Sequence, residues 1–503
     1  MNILLLYPKM TDTFWSMNHL LKVVGKKGSY PPLGLLTVAS LLPKDWNKKL
    51  IDLNTEKLND EEIHWADYVF ISAMNVQSVS AREVIKRCKS CGVNIVCGGT
   101  LFTHEYESFP QVDHFVLNEA EITLPLFLKD LEKNNLKRIY KTEMFANVAE
   151  SPLPQWDLIN IKNYEYSIVQ YSRGCPYLCD FCDVTALFGR IPRVKSPAQI
   201  INELNEILKA GHSDMILFAD DNLIGNKNVL KSELLPALIE WRSQNEFAPG
   251  FATQVTINLA DDDELMRLML EAGFRHIFIG IETPEEESLL ASRKKQNAKR
   301  KLLQNIKHLQ TSGFIVTGGF IVGFDTDTPS IFDNQIKFIS ESNIVIATIN
   351  LLKAPPGTEL HERMKKENRL IDKFDFDENM SNIRFKIDRE IINEGYKSVL
   401  NNVYSPEKVY KRAINFLKYY NGAKVANPIK RKIKFSDYIT LLRIIIYVGI
   451  LGNCRIHFWK LIIWTLKKYP AKLDYAFLFV LLMFQFNKMF ERYLSLNHKI
   501  PEN

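Results

Sequence analysis

Residues 173–183 have the sequence Arg-Gly-Cys-Pro-Tyr-Leu-Cys-Asp-Phe-Cys-Asp, and the rest of the chain is organised around them. The cysteines of this stretch, Cys175, Cys179 and Cys182, are separated by three residues and then by two. With Gly and Pro beside the first cysteine, this spacing lets three thiolates surround one corner of a small iron–sulfur cluster. Four cysteines close a [4Fe–4S] cluster, whereas three leave one iron open. The stretch therefore predicts a catalytic cluster rather than three unrelated core cysteines.

Length and composition describe an ordinary folded protein. The 503 residues allow two or three domains, and 46% hydrophobic and 24% charged residues argue against extensive disorder. Seven cysteines, three of them in one loop, indicate a reducing compartment. The first residues lack a signal-peptide pattern, so we expect a cytoplasmic location. Residues 401–503 contain 18 Lys and Arg against 5 Asp and Glu, which makes the C-terminal region strongly basic.

The cysteine spacing, with the aromatic Phe181 before the last cysteine, resembles the signature of radical S-adenosylmethionine (SAM) enzymes. The resemblance implies that Cys175, Cys179 and Cys182 hold a [4Fe–4S] cluster whose open iron binds SAM. It also implies that one electron, from a donor such as flavodoxin or ferredoxin, cleaves SAM to methionine and a 5′-deoxyadenosyl radical.

Residues 1–150 predict a doubly wound domain. Apolar runs at 3–7, 49–53, 68–72, 94–97 and 114–117 alternate with helical patterns at 33–42, 78–91 and 122–131. This order predicts a parallel, Rossmann-like sheet that binds ligands beyond the carboxyl ends of its strands. Before a radical SAM motif, the arrangement resembles the cobalamin (B12)-binding domain of B12-dependent radical SAM enzymes. The resemblance assigns the following strand-end residues to cobalamin: Tyr7, Ser72, Asn75, Gln77, Gly98, Gly99, Asn118 and Glu119.

Three features of this region admit other interpretations. No Asp-x-His-x-x-Gly pattern is present, so we expect no His below the cobalt. Gly98-Gly99 is equally typical of a tight turn after a strand. Cys88 and Cys91 form a second Cys-x-x-Cys, which we interpret as structural because no second pair or His completes a metal site.

Residues 151–375 predict a partial (β/α)6 barrel. Strand patterns fall at 167–171, 215–219, 250–254, 276–281, 315–322 and 344–351, and chemistry in barrels gathers at the carboxyl ends of the strands. By resemblance, acidic and amide groups there hold the SAM amino group and ribose, and a glycine packs beside the adenine. The residues predicted to bind SAM are Phe181, Asp220, Asp221, Asn222, Thr253, Glu282 and Gly323, of which Thr253 is assigned from its position at the end of the third strand. Helix caps, turns and solvated charges are the alternative roles. Six basic residues near the site have two possible roles: they neutralise cluster or carboxylate charge, or they form a solvated strip. They are Arg190, Arg193, Lys195, Arg293, Lys294 and Lys295.

Residues 376–503 predict a basic, mostly helical domain, with helices at 438–449, 456–466 and 475–493. The longest apolar run, 476–484, is shorter than the ~20 residues that span a bilayer, so we expect no transmembrane anchor. Two interpretations remain: a helical cap on the barrel, or a helical face on an anionic membrane, peripheral at its inner side. No RNA-binding module is recognisable, so we expect no nucleic-acid partner.

The whole chain resembles the B12-binding radical SAM subgroup that includes the hopanoid C-2 methylase. This resemblance implies a C-methyltransferase that acts on an unactivated carbon of a hydrophobic, lipid-like substrate, where homolysis is required because the C–H bond is not acidic. One alternative is ring or C–C bond formation without methyl transfer, and another is a non-catalytic cobalamin or lipid sensor. A tRNA methylthiotransferase is disfavoured because its N-terminal cluster and C-terminal RNA-binding barrel are not recognisable here.

Overall fold

The computed structural model describes residues 1–13, 16–211, 214–371, 381–422, 424–426, 428–430 and 434–495. The chain begins with six parallel strands in the order β2-β1-β3-β4-β5-β6. These strands are β1 (Asn2–Tyr7), β2 (Asn47–Asp52), β3 (Tyr68–Ser72), β4 (Asn94–Gly98), β5 (His114–Val116) and β6 (Ile139–Tyr140). The connecting helices are α1 (Asn18–Val24), α2 (Leu33–Leu41), α3 (Asp60–Trp65), α4 (Ser78–Ser90), α5 (Thr100–Glu105) and α6 (Ala120–Glu132).

Burial on both faces explains the continuous apolar strands of this sheet. In β1, Ile3 and Leu5 join one apolar cluster and Leu4 and Leu6 join another, and all four side chains are buried. A parallel sheet covered by helices on both faces requires such runs. The predicted doubly wound sheet is confirmed, and all five predicted strands are present.

A second parallel sheet follows, in the sequential order β7-β10-β11-β12-β13-β14. Its strands and a two-stranded antiparallel ribbon, β8-β9, are β7 (Tyr166–Val169), β8 (Ser172–Arg173), β9 (Arg193–Val194), β10 (Met215–Phe218), β11 (Gly250–Gln254), β12 (Phe274–Glu282), β13 (Ile315–Val322) and β14 (Ile346–Leu351). Because β7 and β14 remain the two edges, the six strands form the predicted open, partial barrel. The helices around it are α7 (Val184–Phe188), α8 (Pro197–Lys209), α9 (Lys227–Val229), α10 (Leu235–Gln244), α11 (Asp263–Ala272), α12 (Glu286–Ala291), α13 (Leu302–Ser312), α14 (Ile331–Ser342) and α15 (Glu359–Lys366).

The C-terminal region is helical, as predicted. Its helices are α16 (Arg389–Tyr404), α17 (Pro406–Tyr419), α18 (Phe435–Ile444), α19 (Arg455–Lys468) and α20 (Leu473–Ser495). The Tyr396 hydroxyl donates to the Ile349 carbonyl at 3.0 Å and the Tyr420 hydroxyl donates to the Gly313 carbonyl at 3.0 Å. The region therefore packs on the edge strand β14 and on the amino end of β13. The predicted domain boundary at 375/376 lies outside the described residues.

Among the described helices, the segment Pro470–Glu491 is long and apolar enough to cross a membrane. Its side chains Phe479, Val480 and Met483 are buried inside the protein. The Leu20 amide donates to Gln485 Oε1 at 2.9 Å, which ties this helix to the N-terminal domain.

Candidate active site

The loop that carries the three cysteines is closed at its base by the β8-β9 ribbon. Between the ribbon strands, the Cys175 amide donates to the Gly189 carbonyl at 3.2 Å. Gly174 has φ +98, and a Cβ at this position would lie 2.7 Å from the Ile191 carbonyl oxygen. Only glycine satisfies both the left-handed backbone and this close approach, which explains the Gly before the first cysteine.

The thiols of Cys175, Cys179 and Cys182 are free and partly buried. Burial raises the pKa of Cys175 and of Cys182, so thiolates at these positions need a stabilising cation. The Lys294 ammonium interacts electrostatically with Cys179 and Cys182, and Gln296 Nε2 lies 3.5 Å from Cys179 Sγ. Within the described ranges, no group of three His, Cys, Asp or Glu side chains encloses a single metal ion. Three cysteines on different irons of one cluster do not require such a group.

Asp220 holds the cysteine loop in place. Its carboxylate is fully buried and accepts the Tyr171 amide at 3.2 Å, the Ser172 amide, and the Ser172 hydroxyl at 2.5 Å. These contacts join the carboxyl end of β10 to the start of the cysteine loop. Burial raises the pKa of Asp220 to about 6. The structure thus gives Asp220 a structural role, and its predicted contact with SAM stays a prediction.

Asn222 and Thr253 provide buried polar atoms without protein partners. Both amide atoms of Asn222 and the Thr253 hydroxyl have no hydrogen-bond partner in the part of the chain that the structure describes. Buried polar groups are rarely left unpaired, so such atoms indicate a polar ligand. Beside them, burial and the charge of Asp220 raise the pKa of Asp221 to about 7. These residues follow β10 or end β11, and they fit a ligand with amino and carboxylate groups.

Glu282 occupies a left-handed backbone position, with φ +67, at an irregularity where β12 pairs with β13. Its carboxylate accepts from Lys294 Nζ at 2.6 Å, and both side chains are buried. Lys294 is therefore no part of a solvated strip. One Glu282 oxygen makes this ion pair, and a carboxylate with about four acceptor sites keeps capacity for the predicted ribose hydroxyls.

Phe181 lies beside this ion pair, with its ring centroid 5.9 Å from Lys294 Nζ. Gly323 lies in a turn after β13. The Phe181 ring packs against Phe324, with ring centroids 6.0 Å apart. Gly323 has φ +102, and its amide donates to Asp327 Oδ2 at 2.8 Å. The Phe385 ring lies 2.4 Å from the position of a Cβ on Gly323. Close packing of Phe385 therefore accounts for this glycine without a ligand.

Among the residues predicted to bind cobalamin, Asn75 and Asn118 have side chains that are still available to a ligand. The side-chain oxygens of both are buried and unpaired among the described residues. Gln77 instead uses both amide atoms on the backbone, donating to Pro8 at 2.5 Å and accepting from Met74 at 2.8 Å.

The glycines of the same edge are explained by packing inside the domain. A Cβ on Gly98 would lie 2.8 Å from the Val116 carbonyl oxygen, and a Cβ on Gly99 would lie 2.8 Å from Ser72 Oγ. Tyr7 ends β1 beside these residues, and burial raises its pKa strongly. Cobalamin contacts of Tyr7, Ser72, Gly98 and Gly99 stay predictions.

Glu119 has a role that the sequence did not predict. Arg193 donates to both carboxylate oxygens of Glu119, at 2.6 and 2.8 Å, and the Ala146 amide donates to it at 2.7 Å. Arg173, two residues before Cys175, lies 2.7 Å from Glu121 and 3.7 Å from Glu119. We call these four side chains, Glu119, Glu121, Arg173 and Arg193, the interdomain clamp. The clamp fixes the amino end of α6 to the ribbon beneath the cysteine loop.

Two further side chains lie against the loop from outside. His104 Nε2, on α5, lies 3.5 Å from the Asp183 carboxylate, directly after Cys182. Arg363 donates to Asp180 Oδ2 at 2.8 Å from α15. Lys195, expected beside the cluster or in solvent, is buried and paired with Glu203 at 2.5 Å, whereas Arg190 is exposed. His104 and Arg363, the partners of the cysteine loop in these pairs, lie in segments that carry no recognisable sequence motif.

Comparison with known proteins places this geometry in a family. Residues 169–339 match the Radical SAM superfamily, and residues 358–498 match a domain of unknown function, DUF4070. The structure of the cobalamin-dependent SAM radical enzyme OxsB with aqua-cobalamin and SAM bound has a TM-score of 0.63 at 16% identity, covering 99% of this chain and 80% of that one. The radical SAM methyltransferase TsrM from Kitasatospora setae, with cobalamin and a [4Fe–4S] cluster bound, has a TM-score of 0.58 at 14% identity, covering 73% and 78%. These likenesses confirm the predicted fold.

The sequence relatives extend over nearly the whole chain. An uncharacterized methyltransferase of Synechocystis sp. is 36% identical over 94% of this chain and 89% of its own length. The hopanoid C-2 methylase of Rhodopseudomonas palustris is 32% identical over 91% of this chain and 88% of its own length. The predicted enzyme class is confirmed: the chain belongs to the radical SAM methyltransferase family that includes the hopanoid C-2 methylase.

Proposed function

We propose that this protein is a cobalamin-dependent radical SAM methyltransferase that methylates an unactivated carbon of a hydrophobic, lipid-like substrate. The observation that carries the proposal is the arrangement of two strand edges around the cysteine loop. Glu119 and His104 follow strands β5 and β4 of the N-terminal sheet, and they contact Arg193 and Asp183 on either side of the cysteines. The carboxyl end of each parallel sheet is its usual binding edge. Both binding edges therefore meet at the cysteines.

The residues present fit a cluster with SAM. Cys175, Cys179 and Cys182 would hold three irons, and the Lys294 ammonium would compensate thiolate charge. The unpaired atoms of Asn222 and Thr253, with Asp221 beside Asn222, would bind the polar end of SAM.

Cobalamin fits the carboxyl edge of the N-terminal sheet. The unpaired oxygens of Asn75 and Asn118 would accept hydrogen bonds from the corrin amides. When bound, the cluster and SAM supply the radical that removes a hydrogen atom, and cobalamin supplies the methyl group. The protein's own contribution is to hold both edges at a fixed distance through the interdomain clamp and to keep water out of the buried polar site.

The named relatives support a proposal for the substrate class. One relative is named for a hopanoid substrate, and from this similarity we infer a lipid-like substrate here. A one-electron donor such as flavodoxin or ferredoxin would serve the cluster. We further infer a cytoplasmic protein with peripheral membrane contact.

Metal and cofactor analysis of anaerobically purified protein tests the proposal. We expect about four irons and four sulfides per chain, bound cobalamin, and a product heavier than its substrate by one methyl group. Cys179→Ala should lose iron and SAM cleavage, whereas Cys91→Ala, a free cysteine outside the loop, should keep both. Four irons without cobalamin after reconstitution would refute the cobalamin-dependent reaction, and a product of unchanged carbon number would refute methyl transfer.

A further inference from the structure

Two consecutive helices of the C-terminal region turn their apolar sides to solvent. These are α18, continued by a π-helical segment Ile445–Ile450, and α19. Of the large apolar side chains exposed in the described part of the chain, half lie within residues 435–466. Monomeric soluble proteins rarely expose contiguous apolar patches larger than a few hundred Å² without an interaction partner. We call the outer surface of residues 435–468 the hairpin face.

The apolar stripe of α18 points away from the protein. Its members recur at three- and four-residue intervals, which places them on one side of a helix. They are Phe435, Tyr438, Ile439, Leu442 and Ile446, with exposures of 79, 62, 41, 56 and 37%. On the inner side, Ile444 and Val448 are buried. A helix that only caps a core has its wide apolar stripe inside, so the orientation of α18 is the reverse of that expected for a cap.

Helix α19 continues the same surface. Its outer apolar residues follow one another at three- and four-residue intervals: Ile456, Trp459, Ile463 and Leu466, each at least 40% exposed. Its buried residues Phe458, Leu461 and Ile462 lie on the other side of the helix. Lys460 and Lys467, both exposed, each come one position after a stripe residue and therefore flank the stripe.

We propose that the hairpin face docks on the anionic lipid surface of a bilayer. Helix α19 contains four exposed basic residues, Arg455, Lys460, Lys467 and Lys468, and no Asp or Glu, so the rim of its apolar stripe is cationic. Apolar side chains between basic ones are the pattern of a helix that lies in the membrane interface. Trp459 and Tyr438 suit this depth, because amphipathic rings favour the headgroup level. At 16 residues with Arg443 inside it, residues 435–450 are too short and too charged to span.

Charge favours a lipid surface over a second copy of the chain. A twofold interface through the hairpin face would bring the same patch of each copy together, with Lys460 and Lys467 of both at the contact. Juxtaposed like charges oppose such an interface, whereas anionic headgroups attract them. The proposal does not depend on methyl transfer, because docking is measured without substrate.

Vesicle flotation of the full chain tests the proposal. We expect binding to phosphatidylglycerol-containing vesicles at low salt and little binding to phosphatidylcholine alone. Lys460→Gln with Lys467→Gln should weaken binding about 30-fold, from about fivefold for each basic residue near an anionic surface. Leu442→Asp with Ile463→Asp should reduce the bound fraction to background. Leu126→Asp, an exposed apolar residue of α6 in the N-terminal domain, is the matched control and should bind like the wild type.

Circular dichroism of each variant separates loss of docking from misfolding. If the Asp variant misfolds, the lysine variant decides, because its side chains are exposed and outside the core. Absence of wild-type flotation with anionic vesicles, or equal flotation of the wild type and the lysine variant, would overturn the proposal. So would sedimentation of the wild type as a dimer that the Asp variant converts to monomer, which would assign the face to a second copy.

Discussion

Replacing Glu121 with Gln should loosen the interdomain clamp without changing side-chain size. Glu121 is largely buried and accepts hydrogen bonds from Arg173 and from the Ser151 hydroxyl, each at 2.7 Å. Burial by itself raises the pKa of this carboxyl, but the combined opposite effect of Arg173 and Ser151 is larger. The pKa of Glu121 therefore falls from 4.5 to about 2. The ionised form of Glu121 is therefore favoured by folding, and a neutral amide forfeits that preference.

The pKa shift sets the size of the effect. Each pKa unit corresponds to about 1.4 kcal/mol, so the ionised Glu121 contributes about 3 kcal/mol to the free energy of unfolding. Because the pKa is lower in the folded state, this contribution is complete well above pH 4.5 and is lost as the pH falls toward 2. We expect Glu121→Gln to lower the free energy of unfolding by about 3 kcal/mol at pH 7 and by about 1 kcal/mol at pH 3.

Urea unfolding followed by tryptophan fluorescence, with variant and wild type compared at both pH values, measures this difference. Glu132→Gln is the matched control, because Glu132 is an exposed glutamate at the other end of the same helix, α6. Its effect should stay within about 0.5 kcal/mol. If Glu121→Gln cost no more than the control at pH 7, or cost the same at pH 3 as at pH 7, the electrostatic role of the clamp would be refuted.

Three further substitutions probe the site and its support. Asn222→Ala should leave iron bound but weaken SAM binding about tenfold, through loss of hydrogen bonds to a buried amide; equilibrium dialysis of reconstituted protein measures it, and unchanged binding would remove Asn222 from the site. Lys294→Met should lower the free energy of unfolding by about 3–5 kcal/mol, because it strands buried Glu282 without a partner; an unchanged urea midpoint would contradict this. Gly99→Ala, at φ +91, should destabilise the N-terminal domain by about 1–2 kcal/mol, whereas Gly34→Ala, in open space on α2, should not; equal thermal denaturation of both would refute the strain.

The alternation of strands and helices was predictable because apolar runs alternate with helical patterns along the chain, most clearly at β1 and β3, whose central residues are all buried. Both sheets follow from that pattern, and each of the eleven predicted strands matches a strand of the structure. Three strands were not predicted, β6 (Ile139–Tyr140), β8 (Ser172–Arg173) and β9 (Arg193–Val194), and each of them has two residues. Two residues carry no periodicity, so tertiary pairing alone defines such a strand.

The site was predictable only where chemistry is local in sequence. The three cysteines lie within eight residues, and their spacing alone indicated a cluster. Glu119 and Arg193 are separated by 74 residues, and nothing in either segment identifies the other as a partner. A carboxylate after a strand looks the same whether it binds a ligand or an arginine, which is why Glu119 was assigned to cobalamin. The identity of its partner depends on how the two domains pack.

The clamp also explains why the cysteine loop depends on the N-terminal domain. Arg173 and Arg193 lie directly opposite each other in the β8-β9 ribbon, where like charges destabilise a pair of strands. Glu119 and Glu121 remove that repulsion, and they lie at the amino end of α6, where a helix favours carboxylates. Without these glutamates, repulsion between Arg173 and Arg193 would oppose pairing of the two ribbon strands that close the cysteine loop. The N-terminal domain thus completes the cysteine loop as well as offering a binding edge, so the barrel alone would lack the electrostatic support that holds Cys175 in position.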